Sequence, residues 1–339
     1  MAIAGEEERA PKLRVFFMPF FAGGHIIPMT DLACIFAKRP CVGPTMVTTP
    51  ANATLILPTL DRSASFGHPV QLLLYSFPSA ATNLPSGIEN LASVSSDESW
   101  KIYKAVDLSR DAHERIIREH TPDAIISDIP FWWTTAIAKD LGISRKTFHA
   151  VEVFPQCIMN NLVKNRVHDH VPTDSHPFTI PDLPGPCINM VKSELPEFLK
   201  QRDHLTSAWD DLKKSQLESY GVVVNTFYEL EHEYCDLFRE FMNERLVVEV
   251  HEAGVRVWDG FRSSSEKEKV VVPSEAIERA VRKFMEGGEG EEMRKRAAEW
   301  AEIAGAAVAE GGSSHRDLNS LIDELFALQH ERKNGKHIE

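Results

Sequence analysis

The sequence predicts an α/β chain built on a parallel sheet with helices on both faces, and three observations lead there. Short apolar runs of strand length (Leu13 to Met18, Val70 to Tyr75, Ala124 to Ser127, Gly221 to Asn225) alternate with longer stretches of helical spacing. Proline or glycine punctuates almost every junction. At 339 residues and 43% hydrophobic content, the chain is long enough for two globular domains, here expected over 1–225 and 226–339.

Taken in order, Leu13 to Met18 reads as a buried strand closed by Pro19. Gly23 and Gly24 allow a tight turn, and Pro28 is expected in the first turn of a helix that continues through Leu32, Ile35 and Phe36. Thr45 to Thr49 reads as a second strand and Val70 to Tyr75 as a third. Asn83 to Asn90 is turn-rich and reads as a loop, after which Trp100 to His120 has the spacing of one amphipathic helix. Ala124 to Ser127 is a strand ending at Asp128, followed through Ile129-Pro130 by a helix with Trp132 and Trp133. His149 to Val153 reads as a further strand, Asn165 to Pro186 as a long surface loop, Ser193 to Leu217 as helix and Gly221 to Asn225 as a last buried strand. Beyond these, apolar spacing from Leu230 to Leu246 predicts one helix crossing Glu240-Phe241. Gly254 to Trp258 reads as strand, and helices are expected from Ser274, from Glu291 and from Ser313 to about Gln329.

Composition narrows the function. A formal net charge of -13 argues against nucleic acid or anionic lipid as partners and leaves small organic molecules. The acidic N-terminus lacks the pattern of a secretory signal, and no apolar run approaches the roughly 18 residues that span a bilayer, so a cytoplasmic protein without membrane insertion is expected. Five scattered cysteines without CxxC spacing suggest neither disulfides nor zinc. His168, His170 and His176 match no known ligand spacing, so no metal is expected. There is neither a GxGxxG nor a GxxxxGK[ST] motif, which disfavours nicotinamide and ATP chemistry.

The chemistry is expected at the first strand-to-helix junction. His25 stands at the mouth of that turn, on the sheet edge where ligands of open α/β folds bind. A helix N-terminus disfavours the imidazolium, so a neutral ring able to take a proton is expected. Asp128 ends another parallel strand and so falls on the same edge, although it is as well suited to cap the following helix. Phe20, Phe21, Trp132, Trp133 and Phe148 are candidates for an apolar pocket beside Gly24, or else for plain core.

These residues lie in segments that resemble the plant UDP-dependent glycosyltransferases of small molecules. The matching pieces are PFFAGGHIIPMTDLA from Pro19, VTTPANA from Val47, LPSGIEN from Leu84, DAIISDIPFWWTTAIAKDLGI from Asp123, IPDLPG from Ile180 and VVNTFYELE from Val223. FMNERLVVEV from Phe241, GVRV from Gly254 and the stretch from Gly290 to Leu325 continue the match. The resemblance implies a GT-B-like fold of two Rossmann-like domains facing each other across a cleft. It implies His25 as the base that deprotonates an acceptor hydroxyl, with Asp128 fixing its tautomer, and an acceptor pocket at Phe20, Phe21, Gly24, Trp132 and Phe148. The acceptor would be a flavonoid-like metabolite and the donor a UDP-sugar, glucose first among them, serving as co-substrate with no separate cofactor.

One part of the family pattern is absent. The segment ending at Glu240 runs directly into Phe241, where the family carries most of its second domain, including the tryptophan-led box with an HCGWNS-like core that holds the donor. The second domain is therefore expected as a truncated remnant and transfer as impaired. The alternative is a non-catalytic homologue that binds acceptor or pairs with a full-length relative.

Overall fold

The computed structural model describes residues 12–200, 204–240 and 271–334. Its elements begin with β1 (Leu13–Met18), α1 (Gly23–Ala37), β2 (Val42–Thr48), α2 (Pro50–Ser65), β3 (Gln71–Leu74) and α3 (Ser79–Thr82). There follow α4 (Ser99–Leu108), α5 (Arg110–His120), β4 (Ala124–Asp128), α6 (Thr134–Asp140), β5 (Ser144–His149) and α7 (Phe154–Asn165). The chain continues with β6 (Pro177–Thr179), β7 (Asn189–Val191), α8 (Glu197–Lys200), α9 (His204–Leu217), β8 (Val222–Val224) and α10 (His232–Glu240). The last described elements are α11 (Ser274–Met285), α12 (Glu289–Val308) and α13 (Ser313–Lys333).

Six strands form one sheet in the order β3-β2-β1-β4-β5-β8. The pairs from β3 to β5 are parallel, with Val15 opposite Ala124, Met18 opposite Ser127 and Asp128 opposite Phe148. β1 and β4 are flanked on both sides, which is why they read as near-continuous apolar runs: five of six residues of β1 and all five of β4 are buried. The chain steps outward from β1 to β3, then returns to the other side of β1 with β4. That reversal puts a crevice outside the carboxyl ends of β1 and β4.

Contacts divide the chain into two compact units, the first holding residues up to Ala150, Asp211–Val223 and the stretch from Ser320, the second Val151–Asp210 and Val224–Asn319. The core of the first unit gathers Phe16, Met18 and Phe21 with Ile102, Ile117, Phe131 and Trp133. The second unit packs Phe154, Ile158 and Leu162 of α7 against Phe178, Met190 and Tyr234, with the Tyr234 hydroxyl donating to the Pro184 carbonyl at 2.9 Å. Its described strands are the antiparallel pair β6-β7, and among the described residues it has no parallel sheet of its own.

Several sequence expectations are corrected. The helix after β1 begins at Gly23 itself, both glycines have ordinary helical backbone, and Pro28 lies inside the helix instead of in its first turn. Trp100 to His120 is two helices meeting at Ser109, whose hydroxyl donates back to the Ala105 carbonyl at 2.8 Å. The helix after Asp128 starts at Thr134, beyond both tryptophans. The strand expected at His149 to Val153 is instead Ser144–His149, because Arg145, Lys146 and Thr147 hide their polarity in internal hydrogen bonds and are buried. The loop from Asn165 to Pro186 contains a 3-10 turn and β6, and the helix expected from Ser193 is preceded by a 3-10 turn through Glu194 and starts at Glu197, with residues 201–203 outside the described ones. α10 is described as far as Glu240; the continuation expected across Glu240-Phe241 and the strand at Gly254 to Trp258 lie outside the described residues.

Candidate active site

Two side chains 103 residues apart meet at the crevice: Nδ1 of His25 is 2.8 Å from Oδ2 of Asp128. α1 delivers the histidine as its third residue, and β4 delivers the aspartate as its last. Asp128 is fully buried while the His25 side chain retains 27% exposure, so the pair has a dry partner and a wet one. Asp128 is not the cap of the following helix. Its Oδ1 accepts from the Ile129 N–H at 2.9 Å, and its Oδ2 accepts from the Phe20 N–H at 3.1 Å besides the histidine. An ionised carboxylate only accepts, so Nδ1 carries the imidazole proton and Nε2 keeps its lone pair. Among the described residues Nε2 has no hydrogen-bond partner.

The electrostatics of the ring differ from the helix-terminus expectation. Burial pulls its pKa down, but the hydrogen bond that His25 donates to Asp128 and then the carboxylate's charge outweigh that, and His25 sits above the ordinary value of 6.5. The pair is thus built to hold an imidazolium once a proton has arrived. What it offers chemically is a positioned base with its counter-charge fixed behind it.

The expected pocket residues separate into two groups. Phe20 belongs to the site: its ring meets His25 edge-on at 5.1 Å and stacks on Tyr103 at 5.8 Å. Gly24 is exposed on the first turn of α1, and a side-chain carbon there would meet no protein atom within 4 Å. Phe21, Trp133 and Phe148 are buried, Phe21 against Phe77 and Phe131, Trp133 against Phe131, and Phe148 in register with Asp128. Trp132 is half-buried, with the Arg110 guanidinium 5.2 Å from its ring centre. A separate surface groove of about 540 Å³, bordered by Asp31, Cys34, Arg62 and Phe66, contains none of them.

Tyr103 was not singled out in the sequence, although it is a half-exposed aromatic on the face of α4 that also carries Trp100, three residues earlier. That pair of aromatics on an otherwise polar face is the signal that was available. His149, at the end of β5, is a second histidine at this edge: it is buried, hydrogen-bonded to Gln216, and held at about pKa 4 chiefly by desolvation. His168 is also buried, and its Nε2–H donates to the Leu199 carbonyl at 3.0 Å. Among the described residues no group of three or more His, Cys, Asp or Glu is placed to hold a metal, and no helix is long and apolar enough to cross a membrane.

No protein-family model matches the chain. Individual relatives do match. An anthocyanin 3'-O-beta-glucosyltransferase of Gentiana triflora is 34% identical over 238 residues, 69% of this chain and 49% of that protein. Solanidine UDP-glucose glucosyltransferase 1 of Solanum tuberosum is 38% identical over 235 residues, 67% of this chain and 48% of that protein. A scopoletin glucosyltransferase of Nicotiana tabacum is 34% identical over 237 residues, 69% of this chain and 49% of that protein. The chain spans about half the length of the curated relatives it matches. In three dimensions it resembles UGT73P12 of Glycyrrhiza uralensis, solved with glycyrrhetinic acid 3-O-monoglucuronide, with a TM-score of 0.84 and 23% identity over 96% of this chain and 98% of that one. UGT2 of Phytolacca americana superposes with a TM-score of 0.64 at 14% identity, covering 93% of this chain and 100% of that one.

Proposed function

The chain belongs to the plant UDP-dependent glycosyltransferases, and from that premise we propose that its parallel sheet carries the acceptor side of a sugar transfer with His25 as the general base. In this reading a hydroxyl of a small plant metabolite, a flavonoid, coumarin or steroid by the names of the relatives, gives its proton to Nε2 of His25. The oxygen attacks the anomeric carbon of the UDP-sugar as the bond to UDP breaks, so the sugar inverts and UDP leaves with the electron pair. Asp128 holds the tautomer and balances the imidazolium. A base so placed contributes about 10²- to 10⁴-fold.

The observation that supports the reading is the 2.8 Å contact between His25 and a fully buried Asp128, which leaves Nε2 without a partner among the described residues. Residues 1–225 are the acceptor part and 226–339 what is left of the donor part. Phe20 and Gly24 border the acceptor, and Trp132 closes its far side.

Transfer by this chain is impaired. A departing diphosphate needs oriented donors, and the sequence from Glu240 to Phe241 omits the family's donor box. That omission also favours the second reading, a homologue that binds acceptor without turning it over. Mass spectrometry of products from UDP-glucose and a panel of flavonols and coumarins, with His25→Ala alongside, separates the two. Turnover that disappears in the variant supports catalysis; acceptor binding by folded protein without product supports the second reading. A rise of several degrees in Tm with UDP reports a working donor site independently.

A further inference from the structure

Away from the crevice, α1 and α2 border a groove of about 540 Å³, a volume that suits a small organic molecule. Each helix lends it one face. Asp31 and Cys34 of α1 line it with Lys38 at that helix's C-cap, and Arg62 and Ser63 of α2 line it with Phe66 at theirs. A turn closes one end. The Ser63 hydroxyl donates to the His68 carbonyl at 2.7 Å, the His68 N–H donates back to the Ser63 carbonyl at 3.1 Å, and Gly67 between them takes the left-handed φ of 82° that the reversal needs. Along α1, Cys34 lies about 13 Å of helix rise beyond His25, so the groove is separate from the His25–Asp128 pair.

The lining carries surplus positive charge in an acidic chain. Although the formal net charge is -13, Lys38 and Arg62 both border the groove, and among the described residues neither side chain has a hydrogen bond or an ion pair. Asp31 is the one carboxylate on the lining, and burial raises it against the pull of Arg62. Burial also pushes the Cys34 thiol up, so it adds no charge. Lys38 and Arg62 against Asp31 leave an excess of one positive charge, which a monoanion neutralises and a dianionic phosphate oversteps. The planar guanidinium fork matches a carboxylate with two parallel hydrogen bonds. Beside it the Phe66 ring is 73% exposed, an aromatic face turned to water at the groove.

We propose that this groove is a second ligand site, taking a small aromatic monocarboxylate with its carboxylate at Arg62 and Lys38 and its ring against Phe66. The ligand needs no hydroxyl to receive a sugar, and its binding does not depend on His25 acting as a base.

The test is calorimetric titration of the full chain with trans-cinnamate, with its neutral amide and with inorganic phosphate. Cinnamate has no hydroxyl and so is not an acceptor. Saturable millimolar or tighter binding is expected, weakened about tenfold in Arg62→Met and about threefold in Phe66→Ala, with the amide about tenfold weaker than cinnamate. Lys38→Met, at another exposed position, repeats the charge test independently. Bound cinnamate should also slow alkylation of Cys34 by iodoacetamide, read by mass spectrometry of its peptide with exposed Cys187 as the internal control. No saturable binding overturns the proposal. Equal binding by the parent, Arg62→Met and Lys38→Met, or alkylation of Cys34 that saturating cinnamate leaves unchanged, places the probe elsewhere and overturns it as well. Equal binding of the amide, or displacement of cinnamate by an equal concentration of phosphate, overturns the aromatic carboxylate as the ligand.

Discussion

The Phe20 N–H donates to Oδ2 of Asp128 at 3.1 Å, so the oxygen that orients the His25 ring also holds the backbone from which α1 departs. One atom thus fixes both the base and the strand end before it. Replacing Asp128 by Asn puts an amide where three donors converge, and one N–H must face another. Any turnover is expected to fall by about 10²- to 10⁴-fold, measured as product formed with saturating acceptor. Asp128→Ala leaves buried donors unpaired and is expected to cost about 1–3 kcal/mol for each, read by denaturant unfolding.

His25 above 6.5 sets the sign of the pH dependence. The protonated ring cannot accept a proton, so turnover is expected to rise with pH through a value above 6.5. Stability runs the other way. The contribution of the charged pair is present below the unfolded value of 6.5 and is lost as pH climbs through the folded one. In Asp128→Asn the influences that raise His25 are gone, and its NMR titration should fall to 6.5 or below.

Gly24 and Tyr103 separate binding from folding. A methyl at Gly24 meets no protein atom, and alanine is the better helix former by about 1 kcal/mol, so Gly24→Ala should fold at least as stably as the parent. Weaker flavonol binding in that variant would mark space kept for the acceptor; unchanged binding would remove Gly24 from the site. Tyr103→Ala, which strips a half-exposed ring from the Phe20 stack, is expected to weaken a planar acceptor by up to roughly tenfold in Kd.

The second unit carries its own titration. Glu231 is buried, and desolvation pushes it up to about 7 although the N–H groups of Val153 and Phe154 donate to it at 3.0–3.1 Å. With the folded value raised, the protonated acid stabilises the fold below the unfolded value of 4.5, and that contribution is lost as pH rises towards 7. Unfolding midpoints between pH 4.5 and 8 should show the loss, and Glu231→Gln should flatten it. A slope unchanged in the variant would assign it to other groups.

How much of this was legible follows from what kind of signal each residue sends. β1 and β4 are apolar on both faces, His25 opens the helix that follows β1 and Asp128 ends β4, so periodicity and a parallel-sheet rule suffice to place them at one edge. β5 was misplaced by five residues because Ser144 to Thr147 are polar, and nothing local says that their partners lie on β4, α6 and the segment after α9. Local pattern also cannot weigh a helix end against a carboxylate arriving from far along the chain, so the direction of the His25 shift came out reversed. Whether an aromatic residue lines a pocket or fills the core was equally undecided: Phe20 and Phe21 are adjacent, yet one faces the histidine and the other the interior.

Arg332 on α13 donates to Asp123 at 2.7 Å, Gln329 approaches the Lys12 carbonyl at 3.4 Å, and Glu324 pairs with buried Lys146 at 2.7 Å. On the ribosome this has a temporal meaning. The strands β4 and β5 are made early, but their ion pairs with α13, at Asp123 and Lys146, wait until residues 332 and 324 have left the exit tunnel. The first unit is thus completed by contacts between residues as much as 317 positions apart, the kind whose loop-closure entropy slows folding.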